Sequence, residues 1–376
     1  MHYFEFATKD TTLYEESQSL NSGLDEILEV RKDKNADGSV IYVSRALIKF
    51  DLTYISQSVV DGLISSPTYY LNLYDANSQA LNISQKLYAY PVSQSWDVGS
   101  GRQDSNPIIE DGASWRYRDN GTTETQWSSV YTGSGGTWYS GSDGQYSLEA
   151  SQSFTHEAAD VRMDVTGIVN NWIYSGSSYA NEGFMLKRSG SIGNSDSSLP
   201  EGDTTHYGRF VFFSRDTHTI YQPKLEVVWD DSTWATGSLS ALSSDNLEDM
   251  VLYMRGLRPE YKEKSKVKFR VIGRERYPEK SYSTSGYSTG YTTAKYLPSG
   301  STYYQIKDAY TEEIIVPFGS GSVVSCDSTG NYFNYWMNGL QSERFYRIEY
   351  KVVSGSGTAD ETVEFYDEKH TFKVVR

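Results

Sequence analysis

From Ile27 to Asp51 the chain reads ILEVRKDKNADGSVIYVSRALIKFD, two runs in which apolar side chains alternate, separated by a polar stretch that ends in Asp37-Gly38. Alternation places the apolar residues on one face of a pleated strand, and Asp-Gly favours the tight turn that joins two such strands, so a hairpin is predicted here. Further short strands are predicted at Tyr69–Tyr74, Gln85–Val92, Gly183–Lys187, Phe210–Ser214 and Leu225–Trp229, each bounded by Gly, Pro, Asn, Asp or Ser. Many short strands of this kind predict a sandwich or jelly roll. One segment changes period. Val165, Ile168, Val169, Trp172 and Ile173 fall at helical spacing and leave Asn170 and Asn171 opposite, which predicts a short amphipathic helix on a sheet edge, fed by the strand end VRMDV at 161–165.

Between Asp97 and Glu149 the pattern dissolves into Gly, Ser and Trp, as in GSGGTWYSGSDG at 133–144, and a long surface excursion between strands is predicted. A nearly uncharged, small-residue stretch at 232–246 predicts a domain boundary near Thr236, giving domains 1–235 and 236–376. Strands resume at Lys266–Ile272, Glu312–Val316, Phe333–Met337, Arg344–Val353 and Thr362–Val375. They predict a smaller, immunoglobulin-like β-sandwich. Its tyrosine-rich middle, 281–304, is low in complexity and reads either as disordered or as an edge strand or ordered loop. The fold class expected is all-β: an N-terminal jelly-roll sandwich with one short helix, and a C-terminal immunoglobulin-like β-sandwich.

Composition narrows the partners. The 376 residues carry 34 Lys and Arg against 49 Asp and Glu, a net charge of −15 that repels a phosphate backbone, so no nucleic-acid binding is expected. No run of apolar residues is long enough to span a bilayer, and no membrane association is expected. A lone cysteine, Cys326, allows neither an internal disulfide nor a cysteine zinc site. With no basic-then-apolar leader in MHYFEFATKD, synthesis in a reducing cytoplasm without a signal peptide is expected.

Three motifs touch on catalysis or metals. Gly286-Tyr287-Ser288-Thr289-Gly290 is a formal G-x-S-x-G, with His370 downstream, but it lacks the buried strand and helix that make a nucleophile elbow. His156-Glu157-Ala158-Ala159-Asp160 ends in Asp where the zinc helix requires a second histidine. No enzyme activity is expected from either. Asp33, Asn35 and Asp37 match the first half of a calcium loop, whose twelfth position would be Ser44 rather than a bidentate Glu. A plain hairpin loop is the favoured reading, with weak calcium binding as its alternative and no other cofactor expected.

Two features point outward. Between Arg255 and Arg276 nine cations face three carboxylates, the one inversion of charge in the chain, and Lys266, Lys268 and Arg270 alternate with Val267, Phe269 and Val271. One face of that strand is therefore basic: a solvated face, or a dock for an acidic neighbour such as another copy of the chain. In the long loop, Trp115, Trp127 and Trp138 would stack on sugar rings, pin the loop to the sandwich, or anchor a protein interface.

SRALIKFDL (44–52), YYLNLYD (69–75), YPVSQSWD (90–97), DVTGIVNNWI (164–173), GFMLKRSG (183–190) and FVFFSRDTHTIYQPKLEVVW (210–229) follow one another in an order that resembles DNRLRE-type domains over residues 1–231. The loop at 97–150 is longer and richer in glycine than that pattern. The resemblance implies a jelly-roll, carbohydrate-binding-like scaffold without an active site. STYYQIKDAYTEEIIVPF (301–318), the segment 325–351 and YDEKHTFKVV (366–375) give the whole chain a likeness to virion structural proteins of tailed phages of marine bacteria. That likeness implies a neck, collar, head-decoration or fibre-attachment component located in the virion. Its expected partners are portal, neck, tail or capsid proteins and further copies of itself. The alternative is an extracellular glycan-binding or adhesion module.

Overall fold

The computed structural model describes residues 1–376 apart from 35–40, 80–84, 122, 129–134, 155–159, 189–200, 202–204, 243–246, 278–281, 284–285, 288–293, 356 and 358. The fold is all-β, with two α-helices among the described residues. Residues 5–63 and 68–226 form one compact unit, and residues 1–4, 64–67 and 227–376 form the other. The division thus falls at 226/227, nine residues before the composition shift, and the first four residues group with the C-terminal unit.

In the N-terminal unit the strands are β1 (His2–Tyr14), β2 (Ile27–Lys34), β3 (Ile41–Phe50), β4 (Thr68–Leu73), β5 (Gln85–Pro91), the small hairpin β6 (Tyr117–Asp119) and β7 (Thr125–Gln126), β8 (Ala150–Phe154), β9 (Val161–Asp164), β10 (Phe184–Lys187), β11 (Gly208–Phe213) and β12 (Lys224–Val228). Ten of them make one sheet, ordered β8-β5-β10-β3-β1-β12-β4-β9, with β2 paired to β3 and β11 to β2. The two ends of that path meet. The Gln152 amide on β8 donates to the Asp160 carbonyl at 2.9 Å and accepts from the Arg162 N–H on β9 at 2.9 Å, so the sheet curls back on itself. The predicted hairpin is present, with Asp33 opposite Tyr42 and Lys34 opposite Ile41.

Helix α2 (Thr166–Tyr174) follows β9 directly. It buries Ile168, Val169 and Trp172 as its period required, but it also buries Asn171, which the pattern set on the opposite face and whose amide donates to Asp143, while Ile173 stays half-buried. Helix α1 (Thr53–Val60) was not expected from the pattern. Its two turns start where Asp51 Oδ1 accepts from the Thr53 N–H at 3.0 Å and the Thr53 hydroxyl at 2.6 Å, satisfying donors that a helix start leaves open.

The C-terminal unit is a sandwich of two six-stranded sheets. Its strands are β13 (Ser240–Ala241), β14 (Met250–Arg255), β15 (Glu260–Lys262), β16 (Lys266–Glu275), β17 (Tyr282–Ser283), β18 (Gly286–Tyr287), β19 (Lys295–Tyr296), β20 (Thr302–Asp308), β21 (Ile314–Val316), β22 (Ser325–Asp327), β23 (Gly330–Trp336), β24 (Phe345–Ser354), β25 (Thr362–Tyr366) and β26 (Thr371–Val375). One sheet runs β13-β19-β16-β23-β22 with β14 on β16, the other β15-β26-β24-β20-β21 with β25 on β24, and β17 pairs with β18 separately. Phe269, Val271, Phe333 and Tyr335 from the first sheet pack on Tyr304, Ile306, Tyr350 and Phe372 from the second. The Tyr304 and Phe333 rings stack across the gap at 3.9 Å. The single strand predicted over 362–375 is two strands, β25 and β26, interrupted at Asp367–His370, where Lys369 takes a positive φ of 57°.

Candidate functional site

Strand β3 is buried on both faces from Val43 to Ile48 although Ser44 and Arg45 lie inside the run. Ile48 and Ala46 lie opposite Phe184 and Leu186 of β10, on the face where Phe184 meets Phe50 and Trp172 of α2. Leu47 points the other way with Met185 of β10, and Arg45 shares that face with Leu13 of β1. There the long excursion after β5 comes down as a lid of aromatic residues. Trp96, Trp115, Trp127 and Trp138 join Leu13, Leu47, Tyr90 and Met185 in one apolar cluster.

A buried ionic knot sits in this cluster. Glu201 takes Arg45 Nη2 at 2.7 Å and Nε at 3.3 Å, and Lys187 Nζ at 3.1 Å, with all three side chains no more than 1% exposed. The remaining Arg45 nitrogen, Nη1, donates to the Gly135 carbonyl at 2.6 Å. The guanidinium lies 4.9 Å from the Trp115 ring centre and 5.0 Å from that of Trp138, and Lys187 Nζ lies 4.4 Å from Trp138. Gly135 has φ 103°, and a Cβ there would stand 2.7 Å from Arg45 Nη1 and 2.8 Å from the Trp115 ring, so only glycine fits. Burial pushes the Glu201 carboxyl up, but Arg45 and Lys187 outweigh it and bring it down to about 2. Burial lowers the Lys187 ammonium to about 8 against the pull of Glu201.

Trp115, Trp127 and Trp138 are therefore 3%, 6% and 6% exposed. Of the roles open to them they take the pinning one: none offers an open face to a sugar. Trp127 Nε1 donates to the Ser114 carbonyl at 2.9 Å, and Val92 bridges to Trp138 along the backbone. Asn21, fully buried, completes the anchorage by donating to the Val98 and Ala113 carbonyls at 2.8 Å each and accepting from Gly101 at 2.8 Å. The pattern reading missed Arg45, Lys187, Glu201 and Asn21. A signal was present for two of them, a cation in the middle of the apolar runs SRALIKF and FMLK.

The basic strand is β16. Val267, Phe269 and Val271 turn toward the core, and Lys266 and Lys268 are exposed on the other face. Across the antiparallel pair with β23, Lys266 lies opposite Trp336, Lys268 opposite Asn334 and Arg270 opposite Tyr332. Lys268 Nζ is 3.8 Å from the centre of the Tyr332 ring and Lys266 Nζ 5.4 Å from that of Trp336. Asp327 accepts from Arg270 at 2.6 Å and Lys268 at 3.3 Å, and the Arg270 bond chiefly holds its carboxyl well below the usual carboxylate range. The result is a ladder of cations and rings with a single carboxylate at its side.

Of the calcium candidates, Asp33 lies on β2 with the His206 Nδ1 3.2 Å from its Oδ1, and Asn35 and Asp37 lie outside the described residues. Among the described residues no three His, Cys, Asp or Glu side chains gather as a metal site. Ser288, His156 and Glu157 also lie outside them. His370 is exposed beside Glu368 at 4.0 Å, and Asp160 accepts from the Asp75 N–H at 2.7 Å. Among the described residues no helix is long and apolar enough to cross a membrane. The sequence matches no protein-family model and no curated protein.

Proposed function

We propose that the chain is a non-enzymatic structural component of a tailed-phage particle, a neck, collar, decoration or fibre-attachment protein that acts through protein–protein contacts. One observation carries the reading. The tryptophans that a glycan platform needs at its surface are spent on holding the chain's own long loop, whereas the β16–β23 face presents the exposed Lys266 and Lys268 beside the half-buried Trp336, charges that steer an acidic protein partner. The likeness over residues 301–318, 325–351 and 366–375, together with the acidic, cysteine-poor composition, supports the same reading. Mass spectrometry of density-purified particles tests it: stoichiometric recovery with capsid and tail proteins is expected, and absence from washed particles overturns it.

A second reading, glycan binding, is favoured by a cleft of about 540 Å³ in the N-terminal unit, lined by Lys49, Asp51, Thr53, Ser56, Trp172 and Asn181. That mixture of hydroxyl, amide and carboxylate groups beside Phe50 and Trp172 suits a neutral sugar. Retardation in a polysaccharide gel that Asp51→Ala abolishes would support it. Unretarded migration of the wild type would remove it.

A further inference from the structure

Each sheet of the C-terminal sandwich has one face in the shared core and one face outward. On the first sheet the register sets Arg255 opposite Arg270 and Arg270 opposite Tyr332, beside the exposed Lys266 and Lys268. Asp327 is the carboxylate that pairs with this stripe.

On the second sheet, β25 is paired to β24 and exposes Val363 and Phe365, 40% and 60% accessible. From Asp360 to Glu368 the chain holds five carboxylates and no cation. Phe365 and Lys351 lie opposite each other on the outward side. Beside them opens a cleft of about 500 Å³ lined by Asp230, Tyr303, Phe318, Lys351 and Glu361. Lys351 already lies 5.9 Å from the Tyr303 ring centre, so a lysine or arginine from a partner would be taken by the carboxylates Asp230 and Glu361 on the cleft wall.

We propose that the basic β16–β23 face of one molecule docks on the acidic β25 edge and its neighbouring cleft on a second copy of the chain. Charge complementarity selects this occupant. A chain of net charge −15 is repelled by most of its own surface, so two copies attract where the one basic stripe meets the densest carboxylate run. Val363 and Phe365 supply the apolar contact for the half-buried Trp336 that charge alone lacks. The two surfaces are different, so the contact is heterologous and repeats head to tail, closing as a ring or extending as a fibre. The inference rests on the reading that the chain works through protein contacts.

Sedimentation velocity of the full chain over a concentration series, at low and high ionic strength, tests the proposal. Self-association is expected at low salt and should weaken more than about tenfold at high salt, as screening shortens the reach of exposed charges. Arg255→Glu with Lys266→Glu, and separately Asp360→Lys with Glu361→Lys, should each weaken association more than about tenfold, and mixing the two variants should restore it. Circular dichroism on each variant guards against misfolding. A wild type that stays monomeric at every concentration overturns the proposal, as does association that both folded variants retain. A monomeric chain still recovered in particles would remove self-docking alone, and a self-associating chain absent from particles would remove the particle assignment alone.

Discussion

Replacing Glu201 by glutamine keeps the size of the side chain and deletes the one carboxylate that both Arg45 and Lys187 touch. The two cations are then left with side chains at most 1% exposed, and removing one partner of a buried ion pair costs about 3–5 kcal/mol. Lys187 has a way out that Arg45 lacks, because an arginine does not deprotonate in a protein and a buried lysine does. With Glu201 present the Lys187 ammonium already titrates at about 8, against 10.5 ordinarily. Without that carboxylate it falls further, so in the variant Lys187 is largely neutral at neutral pH.

The signs follow from proton counting. Across the interval from the folded to the unfolded pKa of Lys187 the unfolded chain binds the extra proton, so stability rises with pH there, by up to about 3 kcal/mol over a span of about 2.5 units. In the wild type that rise lies above pH 8, and in Glu201→Gln it begins below it. Glu201 acts at the other end. Its folded pKa of about 2 lies below the ordinary 4.5, so its contribution is present above about pH 4.5 and is lost as pH falls toward 2, and the variant lacks this acid limb. Urea unfolding followed by tryptophan fluorescence at pH 3, 7 and 9 reads all three effects. A loss at pH 7 below about 1 kcal/mol, with a pH profile like that of the wild type, would refute the reasoning. The triple replacement Arg45→Met, Lys187→Met and Glu201→Leu should instead cost only about 1–3 kcal/mol, since it removes the desolvated charges together and leaves just the Gly135 carbonyl without its donor.

Asp10, 1% exposed, is pushed by burial up to about 7 and only partly drawn back by the Arg215 N–H at 2.7 Å, so stability falls as pH rises from about 4 to 7. Asp10→Asn should stabilise the protein by about 1–3 kcal/mol at pH 8 and flatten that fall, which thermal melts at pH 5 and pH 8 would show. Trp115→Ala should cost about 3–5 kcal/mol through a core void and the lost guanidinium stack, and limited proteolysis should then cut within 97–149 faster than in the wild type. Gly183→Ala puts a Cβ 2.4 Å from the Ile48 carbonyl at φ 94°, so chemical denaturation should show a loss of at least about 2 kcal/mol.

Where burial follows period, the sequence is enough. β16 alternates because one of its faces is solvated, α2 shows its stripe because one face packs on the sheet, and both lie where the pattern puts them. β1 is different. Its second half, KDTTLY, buries Asp10, Thr11 and Thr12, so no hydrophobic alternation marks a strand whose neighbours are β3 and β12. β20 hides in a tyrosine-rich tract: Tyr304 is core and Tyr303 lines an open cleft, and side-chain type does not tell them apart.

The inward turn of the loop tryptophans has the same origin. An indole suits a sugar, a partner or a core equally, and what decides among them is a guanidinium contributed by β3, some 70 residues earlier than Trp115 and about 90 earlier than Trp138. A leucine at position 45 would fill the same space in the strand. It would leave the Gly135 carbonyl without a donor and the Glu201 carboxylate with Lys187 alone. Arginine meets both with one rigid fork while its flat face takes the rings, so a cation stands in a strand that otherwise reads as core. Charge placed inside a lid in this way fixes how the loop closes more than it adds to stability, which is why the single and triple replacements at this knot should differ.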